Sequence, residues 1–187
     1  MRTFIAIDLN DENKSALTKL QDELKQTQAD VKWVEPENTH LTLKFLGGIS
    51  EEQAGQVKNI LDKISSDYKP FELSLSGIGA FPKLDYPRVI WIGIEKGKKE
   101  TEEIAKKIED GLEKLGFQQE EREFSAHFTI GRVRTPKNKE QLKTAIQTWN
   151  LEHRTWNSQI VSSIVLYQSN LTPKGPIYTP LHFAKFP

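Results

Sequence analysis

Two hydrophobic periods alternate along this chain, and the order in which they follow one another restricts the fold more than any other property of the sequence. The opening TFIAIDL sets Phe4, Ala6 and Asp8 against Ile5 and Ile7, the period-two pattern of a strand. Asn10 or Asp11 can cap a helix in which Ala16, Leu17, Leu20 and Leu24 return at helical spacing. VKWVEPEN reads as a short strand ended by Pro36, and HLTLKFL as another closed by Gly47 and Gly48. Ser50 and Gln53 have capping-box spacing ahead of a helix striped by Val57, Ile60, Leu61 and Ile64. FELSLSGIGAF and YPRVIWIGIE are expected as consecutive strands joined by a hairpin at KLDYP. Next comes a helix with Ile104, Ile108, Leu112 and Leu115 on one face and Gly116 as its stop. AHFTIGRVR is a strand, residues 138–149 a helix around Leu142, Ala145 and Ile146, and QIVSSIVLYQS a strand. IYTPLHFAKF closes the chain as an edge strand, because Pro180 cannot donate to a ladder on both sides. Helices interleaved with hairpins in this order predict an α+β fold with antiparallel sheets and helices on their outer faces.

At 187 residues the chain can bury one substantial core, so residues 1–187 are expected to form a single unit, or two small packed lobes, with no independent second domain. It contains no Cys, which excludes disulfides, thiolate nucleophiles and thiolate metal sites and fits a reducing, cytoplasmic setting. MRTFIAIDLNDENK is too acidic and its apolar run too short for a secretory signal, and no later stretch approaches a membrane span. No membrane partner is expected. A formal net charge of zero argues against a nucleic-acid partner, since phosphates are gripped mainly by Lys and Arg. The charge is uneven, however. From His127 onward eight Lys or Arg stand against two Asp or Glu, enough to allow a local basic patch.

Two tetrads have the same form: HLTL at 40–43 and HFTI at 127–130. Residues two apart on a strand share a face and lie about 7 Å apart along it. His40 therefore shares a face with Thr42, and His127 with Thr129, while Leu41, Leu43, Phe128 and Ile130 can anchor each strand from behind. One such tetrad would mean little, because a strand His is more often structural than catalytic. Two among four His, in the same face relation, point to a joint task. Facing each other across a cleft, they would set two imidazoles and two hydroxyls around a volume suited to one phosphate. Imidazole, with a pKa of about 6.5, can act as base or acid near neutral pH. Phosphoryl transfer needs one group to deprotonate the incoming oxygen and another to protonate the departing one. Thr hydroxyls can donate to the non-bridging oxygens.

MRTFIAIDL, HLTLKFLG, SAHFTIGR and LTPKGPIYTPL together resemble the two-histidine phosphoesterase superfamily, specifically the RNA 2′,3′-cyclic phosphodiesterases also called 2′-5′ RNA ligases, over nearly the whole chain. The resemblance implies a bilobal α+β fold in which two antiparallel sheets flank a central cleft. It also implies opening of a terminal 2′,3′-cyclic phosphate on RNA to a 2′-phosphate, with 2′-5′ ligation as a second activity. By motif order His40 would protonate the departing 3′-oxygen and His127 would activate water. Thr42 and Thr129 would contact the phosphate. Arg132 would be a further phosphate contact, although strand parity puts it on the Phe128 face unless the strand bends at Gly131. RNA ends bearing a cyclic phosphate, tRNA fragments among the candidates, are the expected partners, and no cofactor is expected.

Several residues admit a blander reading. Lys44 shares parity with His40 and Thr42 and could reach a phosphate, or it could be an exposed Lys at a strand end. Tyr178 could stack on a base or cover the sheet. His153 and His182 match neither tetrad and are read as a loop and a strand His. No His pair has the helical spacing of a metal site and no P-loop is present. Two alternatives stay open: the same two His acting on a small cyclic nucleotide or ADP-ribose cyclic phosphate, and a module that binds RNA ends without turnover. With no apolar surface stripe left over, a monomer is expected.

Overall fold

The computed structural model describes residues 1–187 throughout. It contains ten strands and four α-helices: β1 (Arg2–Asp8), α1 (Asp11–Lys25), β2 (Val31–Trp33), β3 (His40–Gly48), α2 (Glu51–Ser65), β4 (Phe71–Leu73), β5 (Leu75–Lys83), β6 (Tyr86–Ile94), α3 (Lys98–Glu113), β7 (Phe128–Val133), α4 (Lys139–Leu151), β8 (Gln159–Val161), β9 (Ser163–Thr172) and β10 (Gly175–Lys185). A 3-10 turn at Pro36–Asn38 precedes β3. Two four-stranded sheets have the orders β10-β9-β1-β3 and β2-β7-β6-β5, and β4 pairs with β8 alone. Every pairing is antiparallel. The α+β expectation therefore holds, with β10 at an edge as Pro180 requires.

The two halves of the chain are built alike and exchange strands. The run strand, helix, strand, helix, short strand, long strand occurs as β1, α1, β3, α2, β4, β5 and again as β6, α3, β7, α4, β8, β9. Yet β5 joins the sheet of β6 and β7, while β9 joins the sheet of β1 and β3. The counterparts β4 and β8 pair with each other, Glu72 opposite Ile160, as two related segments must where they meet about a twofold axis. Both exchanges occur where the sequence reads as unbroken strand. FELSLSGIGAF divides at Ser74 and QIVSSIVLYQS at Ser162, so each predicted strand serves two sheets.

One face of each sheet is sealed by helices. A 33-residue core joins Ile5, Ile7, Leu41, Leu43 and Leu166 of the first sheet and Ile90, Ile92, Phe128 and Ile130 of the second to Leu17, Val57, Ile104 and Ile146 from the four helices. Leu41 and Phe128 are fully buried, and each contributes about 1.5–3 kcal/mol of hydrophobic stabilisation. The helix starts follow the sequence signals. Asn10 caps α1 by accepting from the Asn13 amide, and Ser50 with Gln53 completes the capping box of α2. Replacing Ser50 with Ala leaves the Gln53 amide without its cap and is expected to cost about 1 kcal/mol, read as a lower thermal midpoint with the activity unchanged. No helix is long and apolar enough to cross a membrane.

Candidate active site

The opposite faces of the two sheets turn toward one cleft of about 1480 Å3, lined among others by His40, Thr42, His127, Thr129, Arg132 and Tyr178. The first tetrad begins β3 at His40, the second sets His127 one residue ahead of the equivalent strand β7, and their apolar members are buried behind them. All five site residues expected from the sequence thus meet in one place.

The imidazoles are anchored in the same way. His40 Nδ1 lies 2.9 Å from the Asn38 carbonyl and His127 Nδ1 2.6 Å from the Ser125 carbonyl, in each case the oxygen two residues back. A carbonyl only accepts, so Nδ1 carries the proton and donates it in both rings, which leaves Nε2 of His127 without a partner and Nε2 of His40 with Asp8 Oδ1 at 3.5 Å. The Asn38 turn is itself tied down, its side-chain amide donating to the Pro176 carbonyl on β10 at 3.2 Å. Phe4, Tyr167 and Tyr178 surround His40 with ring centroids at 5.8, 4.8 and 5.3 Å. Phe81 stands edge-on to His127 at 5.1 Å. Burial among these rings pushes both imidazole pKa values below their ordinary range. On His40 the Asp8 carboxylate and the Asn38 carbonyl oppose that shift while Lys14 adds to it; on His127 the Ser125 carbonyl opposes it and Arg132 adds to it.

A β-bulge at the last residue of each tetrad re-aims the side chains after it. Thr42 pairs with Ala6 and Lys44 with Ile5, which leaves Leu43 unpartnered. Thr129 pairs with Trp91 and Gly131 with Ile90, which leaves Ile130 unpartnered. The extra residue inverts the alternation that simple parity assumes. Phe45 and Arg132, three residues after their Thr, accordingly turn to the cleft, and Phe45 is 63% exposed there. The irregularity lies at Ile130, one residue before the bend at Gly131 set as the condition for Arg132, and it puts Arg132 on the Thr129 face. A side chain at Gly131 would force its neighbours on β2 to shift, since a Cβ would lie 2.8 Å from Val31 Cγ1 and 3.0 Å from the Trp33 ring.

Both sequence readings of Lys44 are corrected for the same reason. The bulge turns it inward, only 4% exposed, where its ammonium group donates to Glu109 Oε1 at 2.6 Å and to the Gln118 carbonyl at 2.9 Å. It holds α3 and the 118–120 segment to β3 and reaches no phosphate. Tyr178 lies at the cleft; burial raises its pKa, and Arg132 and Arg2 pull it back down, which brings the two sheets into electrostatic reach of each other. His182 hydrogen-bonds Asp62 of α2 at 2.6 Å, and His153 follows α4 with a positive φ of 49°, so both keep the bland roles expected of them. The sequence reading passed over Phe45, hidden by the bulge, and Asp8, whose one signal was a carboxylate on the same parity as Phe4 and Ala6.

Paired His-x-Thr strands, one from each of two exchanged sheets and opening on a common cleft, define the two-histidine phosphoesterase class. The chain belongs to the family described as LigT like Phosphoesterase, which matches it twice, over residues 7–91 and 92–178, so that each match holds one tetrad. It is 38% identical over 179 residues to the RNA 2′,3′-cyclic phosphodiesterase of Methanothermobacter thermautotrophicus, covering 96% of this chain and 95% of that one. It is 39% identical over 181 residues to the protein of the same name from Archaeoglobus fulgidus, covering 97% and 98%. Among solved structures, TT0787 of Thermus thermophilus superposes with a TM-score of 0.81 at 27% identity over 100% of this chain and 98% of that one. Escherichia coli LigT complexed with 3′-AMP shares the fold with a TM-score of 0.72 at 24% identity, over 99% and 97%.

Proposed function

We propose that residues 1–187 act as one two-lobed RNA 2′,3′-cyclic phosphodiesterase, in which His40 and His127 are the acid and base and Thr42, Thr129 and Arg132 hold the phosphate. The observation that carries this reading is the duplicated geometry: two imidazoles, each with Nδ1 spent on the carbonyl two residues back, present Nε2 to one cleft beside a Thr on the same face. Water attacks phosphorus while His127 Nε2 takes its proton. The bond from phosphorus to the 3′-oxygen breaks, and His40 Nε2 gives its proton to that oxygen. A 2′-phosphate and a 3′-hydroxyl result, and the two rings recover their starting states by exchange with solvent. The Thr hydroxyls and the Arg132 guanidinium offset the charge on the non-bridging oxygens. A 5′-hydroxyl in the place of water would yield a 2′-5′ linkage with the same proton roles.

The cleft itself favours a polynucleotide over a small cyclic nucleotide. Eight Lys or Arg line it against five Glu, although the whole chain is neutral. Arg2, Lys32, Arg88, Arg122, Arg132 and Lys174 have no carboxylate within ion-pair distance, whereas Lys106 and the buried Lys44 are paired. Its 1480 Å3 also exceeds the roughly 300–1000 Å3 typical of small-ligand pockets. RNA ends carrying a cyclic phosphate, from tRNA fragments for example, fit this lining, and the absence of Cys fits a reducing, cytoplasmic setting.

Purified protein in EDTA, given a short oligonucleotide ending in a 2′,3′-cyclic phosphate, should convert it fully to the 2′-phosphate, identified by mass and by phosphatase sensitivity. A 3′-phosphate product would reverse the assignment of the departing oxygen. Conversion only on addition of a divalent metal would defeat the two-imidazole scheme.

A further inference from the structure

The two halves of the site match in their motifs but differ in what stands behind each imidazole. On the first side Asp8 faces His40 across the β1–β3 pair, with Oδ1 3.5 Å from His40 Nε2. The same oxygen accepts a 2.7 Å hydrogen bond from the Tyr167 hydroxyl of β9. The Asp8 carbonyl also accepts from Gln159 Nε2 at 2.7 Å, so backbone and carboxylate are both fixed.

Strand register identifies the counterparts on the second side. Ala6 opposes Thr42 as Trp91 opposes Thr129, and Ile7 opposes Leu41 as Ile92 opposes Phe128. One residue further along, Gly93 therefore occupies the place of Asp8. Phe4 opposes Tyr167 as Val89 opposes Phe81, so Phe81 occupies the place of Tyr167. Phe81 keeps the aromatic contact with the imidazole but has no hydroxyl to donate. Gly93 has no carboxylate, and its place leaves no room for one: a Cβ there would fall 2.7 Å from the Ser76 carbonyl oxygen.

We propose that Asp8, held by Tyr167, is a positioning residue that favours the protonated form of His40 as the proton donor, and that the lack of its counterpart at Gly93 commits His127 to the role of base. A duplicated site thereby acquires one direction of proton flow. The inference rests on the reading of His40 as donor and His127 as acceptor. Of the groups packed around His40, Asp8 of β1 is the one anion. Lys14 of α1 acts against protonation, and Tyr167 of β9 and Tyr178 of β10 face the ring as neutral phenols. Beside His127 the charged neighbour is Arg132, which disfavours the imidazolium. A carboxylate within about 4–6 Å favours the charged form of a cationic partner, commonly by one unit of pKa or more.

The test is the pH dependence of kcat/KM on the cyclic-phosphate oligonucleotide. Its alkaline limb reports loss of the proton from His40, and its acid limb protonation of His127. In Asp8→Asn the alkaline limb should move down by about one pH unit while the acid limb stays in place, so that the rate deficit grows with pH. Tyr167→Phe keeps the ring and should move the same limb the same way by less, which provides a readout even if Asp8→Asn folds poorly. Loss that is uniform with pH in the folded variants, or movement of the acid limb instead, overturns the proposal and makes Asp8 scaffold. His40→Ala and His127→Ala, assayed alongside, separate the two levels. If either retains wild-type turnover, the two-imidazole reading itself fails; if both are inactive and the alkaline limb is unmoved in the Asp8 and Tyr167 variants, only the assignment of Asp8 fails.

Discussion

Alanine at His40 or at His127 is expected to slow cyclic-phosphate opening by about 10²- to 10⁴-fold, the range a single positioned acid or base contributes. The loss should fall mainly on kcat, because Thr42, Thr129 and Arg132 remain to bind the phosphate in ground state and transition state alike. The double variant should be little slower than either single one, since a proton delivered without a matching acceptor accomplishes half of one concerted step. Neither ring is needed to hold its strand. Leu41, Leu43, Phe128 and Ile130 do that from the buried face, so circular dichroism and thermal midpoint should change little. Single-turnover kinetics on the cyclic-phosphate oligonucleotide decide the matter, and unaltered rates in either variant would remove that His from the mechanism.

Glu109→Ala is expected to produce the largest loss of stability among the substitutions considered, about 3–5 kcal/mol, because it leaves the Lys44 ammonium buried with one carbonyl for company. The Glu109 carboxylate also accepts from the Glu120 amide at 3.3 Å, so part of the cleft wall loosens with it. Replacing both partners, Lys44→Met with Glu109→Leu, should recover most of the loss, since paired apolar side chains of similar volume carry no desolvation penalty. Urea unfolding midpoints of the two variants against the parent test this. A loss under about 1 kcal/mol in Glu109→Ala would mean that Lys44 swings out to solvent rather than staying within.

The comparison of Lys44 with Arg132 explains where sequence reading stops. Local alternation correctly placed His40, Thr42, His127 and Thr129 on the cleft faces, and Leu41 and Phe128 behind them, because over three or four residues the pleat alone decides orientation. Beyond Leu43 and Ile130 it failed, since a bulge is a property of two strands in register and leaves no mark on one of them. The same limit hid the splits at Ser74 and Ser162. Alternation continues through both, and only the choice of partner strand divides them. Helix starts at Asn10 and Ser50 were legible because capping is a contact between residues three apart. The pairing of Asp8 with His40 spans β1 and β3, and the Tyr167 bond spans nearly the whole chain. No window of sequence contains it.

The exchange of β5 and β9 between the halves has a consequence for biosynthesis. As the chain leaves the ribosome, β1 and β3 emerge early, but the neighbour that β1 needs on its other side, β9, arrives only with residues 163–172. Until then β1 exposes a row of unpaired amides and carbonyls on that side. Pairings between such distant segments must close long loops before they are rewarded, so folding should be slow for a chain of this length and largely post-translational. A nascent chain stalled before residue 163 should remain protease-sensitive in its first half, however complete the strands and helices of that half already are.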